Sequence, residues 1–122
     1  MQEHAWIKSF PGAVIVCDRE GIILELNDKA VQNLAREGGE KLVGTNMMDC
    51  HSEESRIKLR EMIDQERSNI YTIEKNGVKK LIYQTPWYAD GVFSGLVEIS
   101  LEIPFDMPHF IRGATKAEQV DS

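Results

Sequence analysis

His51 is the residue best equipped for chemistry, because a neutral imidazole can carry a proton or bind a metal near physiological pH. It follows Asp49-Cys50 and precedes Ser52-Glu53-Glu54. Neighbouring side chains generally point apart along a backbone, so Cys50 and His51 do not form a nucleophile–base pair. Ser52 reads as a helix N-cap, and Glu53 and Glu54 then favour the positive end of the helix dipole rather than acid–base work. The sequence holds no Gly-rich phosphate loop and no Ser/His/Asp or Cys/His set at catalytic spacing. Its two cysteines, Cys17 and Cys50, lie outside any CxxC pair, so zinc and redox chemistry have no support. Cys17 reads as a small buried residue of an apolar strand. A Cys17–Cys50 disulfide is not expected in a chain with a full-sized core. The chain is not expected to be an enzyme.

Binding is better supported than reaction. Tyr83, Gln84 and Thr85 lie together on one predicted strand, where polar side chains either orient a ligand or pair across the sheet. Leu59, Met62, Ile63, Tyr71, Ile73, Val97 and Ile99 are expected in the core, which in a ligand-binding domain also lines the pocket. The candidate pocket is therefore His51, Leu59, Met62, Ile63, Tyr71, Tyr83, Gln84 and Ile99.

These residues need elements to hold them. Gln2 to Phe10 is predicted to be a short amphipathic helix with Trp6, Ile7 and Phe10 on one side, stopped by Pro11-Gly12. A helix that short is marginal alone and must dock on something. Ala13 to Asp18 and Ile22 to Leu26 are β-rich runs joined by Arg19-Glu20-Gly21, a connection suited to a hairpin. Asn27 caps a helix carrying Ala30, Val31, Leu34 and Ala35, which Gly38-Gly39 ends; Glu40 to Val43 adds a turn. The longest helix starts at Ser52 with a stripe of Leu59, Met62 and Ile63. Beyond Ser68 the period becomes alternating. Ile70 to Lys75 and Val78 to Tyr88 flank Asn76-Gly77, the strongest short hairpin signal, and Ala89-Asp90-Gly91 turns into a last strand. In that strand Val97, Ile99, Leu101 and Ile103 share one face and Glu98, Ser100 and Glu102 the other, which reads as a sheet with one wet face. A small α+β enzyme with one buried acid would need a carboxylate at an interior strand position, and on this reading none is there.

The order predicts an α+β fold: a five-stranded antiparallel sheet with helices packed on one face, first and last strands side by side. The expected division is an N-terminal helix over 1–12, one domain over 13–103 and a tail over 104–122. At 122 residues there is room for a single domain with a sizeable core. Fourteen basic against twenty acidic residues give a formal charge of −6, a poor match for nucleic acid or an anionic membrane. No apolar run approaches the ~20 residues of a membrane span, and Met1 to Trp6 lacks the pattern of a signal peptide. The expected location is the cytoplasm.

Several short stretches together resemble a PAS domain over about residues 3 to 103. They are Ala13-Val-Ile-Val-Cys-Asp-Arg-Glu-Gly21, Leu26-Asn-Asp-Lys-Ala30, Leu42-Val-Gly44, Asn76-Gly77 and Gly95-Leu-Val-Glu98. The likeness is greatest to the bacterial subset with Asp-Cys-His before the long helix, here Asp49-Cys50-His51. It implies a sensor that binds a small molecule in an apolar pocket, signals through homodimerisation or a signalling-protein partner, and serves a two-component-type cascade or the regulation of transcription. A ligand-free interaction module is the other reading. Haem-binding relatives place a histidine on the long helix, whereas His51 precedes it and is expected to hydrogen-bond a loop or the helix start. Light-sensing relatives use Gly-x-Asn-Cys; here Gly44-Thr45-Asn46 leads to Met47, which argues against flavin–thiol photochemistry. The cofactor is thus left open. The resemblance puts the helix of Trp6, Ile7 and Phe10 at a homodimer interface, with Trp87 as matching aromatic surface; docking within one monomer is the other reading. Where relatives continue from Asp-Ile-Thr into an effector helix, this chain has Pro104 and Pro108, so output is expected to pass through another chain, with Phe105, Phe110 and Ile111 packing back on the domain or on a second subunit.

Overall fold

Five segments form strands: β1 (Ala13–Asp18), β2 (Ile23–Leu26), β3 (Asn69–Lys75), β4 (Val78–Ala89) and β5 (Val92–Ile103). They pair antiparallel in the order β2-β1-β5-β4-β3, so the first and last strands are neighbours at the centre. The computed structural model describes residues 4–113. Helices are α1 (Ala5–Lys8), α2 (Asp28–Asn33) and α3 (Glu53–Gln65), with 3-10 turns at Ala35–Glu37, Gly39–Leu42 and Met47–Cys50.

Local chemistry accounts for most boundaries. Asp18 Oδ1 accepts from the backbone N–H of Glu20 and Ile22, at 2.9 and 3.0 Å, closing the turn between β1 and β2. Ser52 caps α3 by accepting from Ser55 N at 3.3 Å. Both two-residue hairpin turns, Asn76-Gly77 and Asp90-Gly91, have positive φ throughout, as the primed turns that match strand twist require.

Asn27 goes beyond capping. It is buried, and its amide uses all its hydrogen-bonding capacity. Oδ1 accepts from Val14 N (2.9 Å) and Ala30 N (3.1 Å), while Nδ2 donates to Ile7 O (3.0 Å) and Gly12 O (2.8 Å). One side chain thereby ties the N-terminal turn, β1 and α2 together.

Two expectations are corrected here. The N-terminal helix is the single turn α1, not the nine residues predicted; its N-cap His4 makes no capping bond, and four residues cannot sustain a longer helix. Trp6 is 69% exposed, with Ile7 and Phe10 half-buried. The sheet also presents the opposite face to the helices from the one expected. Cys17 pairs with Leu96, and Glu98 pairs with both Ile15 and Gln84. Side chains alternate across a strand, so Ile15, Cys17, Gln84, Leu96 and Glu98 share one face. That face meets α3 and the Met47–Cys50 turn in a core of Cys17, Met48, Leu59, Met62 and Leu96. Val97, Ile99 and Leu101 lie on the outer face with Val14, Val16 and Tyr83. The apolar row of β5 does not mark the helix side.

Beyond β5 no helix or strand forms among the described residues. Phe110 and Ile111 are 76% and 75% exposed, so they do not pack back on the domain as one expectation had it. The last nine residues of the tail lie outside the described residues.

Candidate functional site

Between the sheet and α3 lie two adjoining chambers that share part of their lining. The first, about 150 Å³, is apolar: Cys17, Ile23, Leu42, Met47 and Leu96 form its walls, with Glu37 and His51 at its edge. The second, about 200 Å³, is polar, with Ser55, Lys58, Asn69 and Tyr71. His51, Leu59, Met62, Gln84 and Glu98 line both.

A row of hydrogen bonds runs along the floor. Asn69 Nδ2 donates to Gln84 Oε1 at 3.0 Å, and Gln84 Nε2 donates to Glu98 Oε1 at 2.6 Å. Asn69, Gln84 and Glu98 sit opposite one another on β3, β4 and β5, which is why three separate sequence segments converge. At the edge, His51 Nδ1 lies 2.6 Å from Met47 O. A carbonyl oxygen only accepts, so Nδ1 carries the proton in that hydrogen bond. Burial pushes the Cys17 thiol up; a backbone hydrogen bond to Leu96 opposes this, and the Asp18 and Glu98 charges add to it. Burial and then the Glu98 charge push the Tyr71 phenol up.

Of the predicted pocket residues, His51, Leu59, Met62 and Gln84 reach both chambers and Tyr71 the polar one. Ile63 packs against the core cluster and lines neither chamber. Tyr83 and Ile99 are corrected: they pair with each other on the outer face, one residue away in sequence from Gln84 and Glu98. The expectation of no interior carboxylate is also overturned, since Glu98 faces the cavity. Its hydrogen-bond partner is a neutral amide, and among the described residues no second acid or base bonds to it. Glu98, Asn69 and Lys58 went unpredicted.

Trp87, predicted at a dimer interface, lies opposite Gly95, and its Nε1 donates to Cys17 O at 2.9 Å. A Cβ on Gly95 would collide with that same carbonyl. The absent side chain lets the indole cross to β1.

No protein-family model matches the sequence, and no curated protein matches it. Solved structures do. The Aer2 receptor from Vibrio cholerae, described as a dual PAS-haem oxygen sensor, is 19% identical with a TM-score of 0.58, covering 76% of this chain and 95% of its own. The PAS domain of histidine kinase ThkA is 18% identical with a TM-score of 0.58, over 73% and 96% of the two chains. VqmA bound to DPO is 14% identical with a TM-score of 0.63, covering 83% of this chain but 56% of its own.

This chain has the PAS fold.

Haem, which one PAS neighbour carries, does not fit this cavity. The two chambers, about 150 and 200 Å³, each lie below the ~300–1,000 Å³ of pockets that hold even drug-sized ligands. Met47, at the position that the light-sensing motif gives to cysteine, lines the cavity, and a thioether forms no thiol adduct. Among the described residues no cluster of three metal-ligating side chains occurs, and no helix is long and apolar enough to cross a membrane.

The buried thiol of this PAS domain gives a testable pH dependence. Because the native state holds Cys17 and Tyr71 protonated beyond their usual ranges, their contribution to stability is complete at neutral pH. It falls as alkaline pH begins to ionise them in the unfolded chain. In a Cys50→Ser background, iodoacetamide will label Cys17 at the rate of global opening. Chemical denaturation at pH 7 and pH 10 will show the loss, and immediate labelling or an alkaline-stable fold would contradict it.

Proposed function

We propose that the chain is a sensory PAS module that takes a small ligand into the two-chambered cavity. It reports occupancy through homodimerisation or a signalling partner in the cytoplasm, in a signalling cascade or the control of transcription. The observation that carries this is the cavity itself: an apolar chamber meeting a row of oriented polar groups, Asn69, Gln84 and Glu98, as a recognition site needs. Neighbours lend support, one described as an oxygen sensor, another as VqmA bound to DPO and, in a further structure, as a dimer of a LuxR-type receptor. A ligand-free assembly module would instead fill that space with side chains.

For the interface, the outer face offers half-buried Val16, Val97, Ile99 and Leu101, continuing to Phe10 beside Leu101 and Ile7 beside Val16. Native mass spectrometry of freshly purified protein, with a denaturing spectrum as control, tests both parts. The expected result is a dimer carrying a releasable small molecule; an unliganded dimer would turn the reading toward the assembly module. Ile99→Lys will raise the dimer dissociation constant at least ~10-fold by placing a charge in the apolar patch. Unchanged dimerisation would remove this face from the interface.

A further inference from the structure

Glu98 is a half-buried carboxylate without a counter-charge. The two ion pairs among the described residues, Lys8–Asp28 and Arg67–Glu61, lie elsewhere. Its one side-chain hydrogen bond comes from Gln84 to Oε1, which leaves Oε2 with no donor among the described residues and with the cavity beside it. The direction of the row matters. Asn69 fixes Gln84 by donating to its oxygen, so the Gln84 amide must turn its N–H toward Glu98. The floor is thus arranged to hold an anion in place. An incoming ammonium group would give that carboxylate the charged partner it lacks among the described residues.

We infer that the ligand is a small amine: a single ring or short alkyl chain in the apolar chamber, bearing an ammonium group that donates to Glu98. This rests on the sensory reading above and names the ligand class of that cavity. Size supports the apolar part, since a cavity of ~150 Å³ accommodates one benzene ring. Charge supports the head group: Glu37 adds a second carboxylate at the edge of the apolar chamber. The high-titrating Tyr71 phenol remains available as a neutral donor and acceptor beside it. Lys58 is the opposing influence. It lines the polar chamber but forms no ion pair with Glu98.

The test compares three probes of similar shape, phenethylamine, 2-phenylethanol and phenylacetate, titrated into isotope-labelled protein and followed by amide NMR shifts of cavity residues. The amine will bind about tenfold or more tighter than the alcohol, the margin of a charge-assisted hydrogen bond. Glu98→Gln will remove the amine's advantage over the alcohol. An alcohol that binds wild-type protein as well as the amine overturns the inference while the ligand-binding reading stands. Tightest binding by phenylacetate also overturns it, in favour of Lys58. If no probe shifts a cavity resonance, both the inference and the ligand-binding reading fall. The wild-type comparison needs no variant, so poor folding of Glu98→Gln would not obscure the answer.

Discussion

Asn27→Ala will cost the domain about 4 kcal/mol, a large share of the ~5–15 kcal/mol available to a typical fold. Loss of the helix cap accounts for about 1 kcal/mol. The rest comes from backbone groups left without partners around a residue only 6% exposed; each such buried group costs about 1–3 kcal/mol. Beyond the cap at Ala30 N, Val14 N loses its side-chain acceptor and Gly12 O its side-chain donor, while Ile7 O keeps the bond from Phe10 N at 3.3 Å. Asn27→Asp is the sharper variant. It keeps the cap but cannot donate, and it sets a charge against two carbonyl oxygens, so it too will be strongly destabilised at neutral pH. Asn46 is a useful contrast: it caps the 3-10 turn at Met47–Cys50 through Met48 N at 2.9 Å, and its second bond, to Glu20 O, is exposed. Its replacement by alanine should cost about 1 kcal/mol. Urea unfolding of the three variants decides the matter; an Asn27→Ala loss no larger than that of Asn46→Ala would refute the assignment.

Gly95→Ala will be comparably severe, at least ~3 kcal/mol, within the range of strongly destabilising backbone and packing changes. A Cβ there would overlap Cys17 O and lie 2.8 Å from Asp18 Cα, at a φ of +151°. The atoms in the way are backbone of β1, which cannot step aside without parting β1 from β5. The substitution should also displace the Trp87 indole from Cys17 O, so near-ultraviolet circular dichroism will change along with stability. At Gly44, by contrast, an added Cβ meets nothing within 4 Å and bears only left-handed strain, φ +92°, expected to cost about 1–2 kcal/mol. A Gly95→Ala protein as stable as Gly44→Ala would show that the two central strands can separate more freely than their register suggests.

Much of the architecture was legible because it is written in local signals. Asp18 and Gly21 mark one turn, Asn76-Gly77 and Asp90-Gly91 mark two more, and Asn27 and Ser52 cap the helices that follow them. The cavity floor was harder to read for a specific reason. Counting back from Asp90-Gly91, Ala89 pairs with Val92 and Tyr88 with Phe93, so Trp87 should meet Ser94. A β-bulge intervenes, Trp87 meets Gly95, and every later pair moves by one residue. Gln84 therefore faces Glu98 rather than Val97. Alternation along β5 could not reveal this, since it shows two unlike faces without saying which one the helices cover. The central strands carry apolar side chains on both faces, so hydrophobicity did not break the tie. Beyond the cap, three bonds of Asn27 were hidden for a different reason: Val14 N, Ile7 O and Gly12 O are backbone atoms, which leave no trace in residue type.

The strand order also dictates when the sheet can be completed. Strands β3, β4 and β5 are joined by two-residue turns and can assemble as soon as they exist, whereas Ala13 must wait for Ser100 and Asp18 for Gly95. Contacts of such long sequence separation are slow to form because loop closure precedes any reward. A chain emerging from the ribosome therefore carries β1 with only β2 at its side until almost all of the domain has been made. During that interval the Val14 and Val16 edge is open to any other extended strand. Translation speed through residues 27–103, rather than the stability of the finished fold, sets how long that exposure lasts.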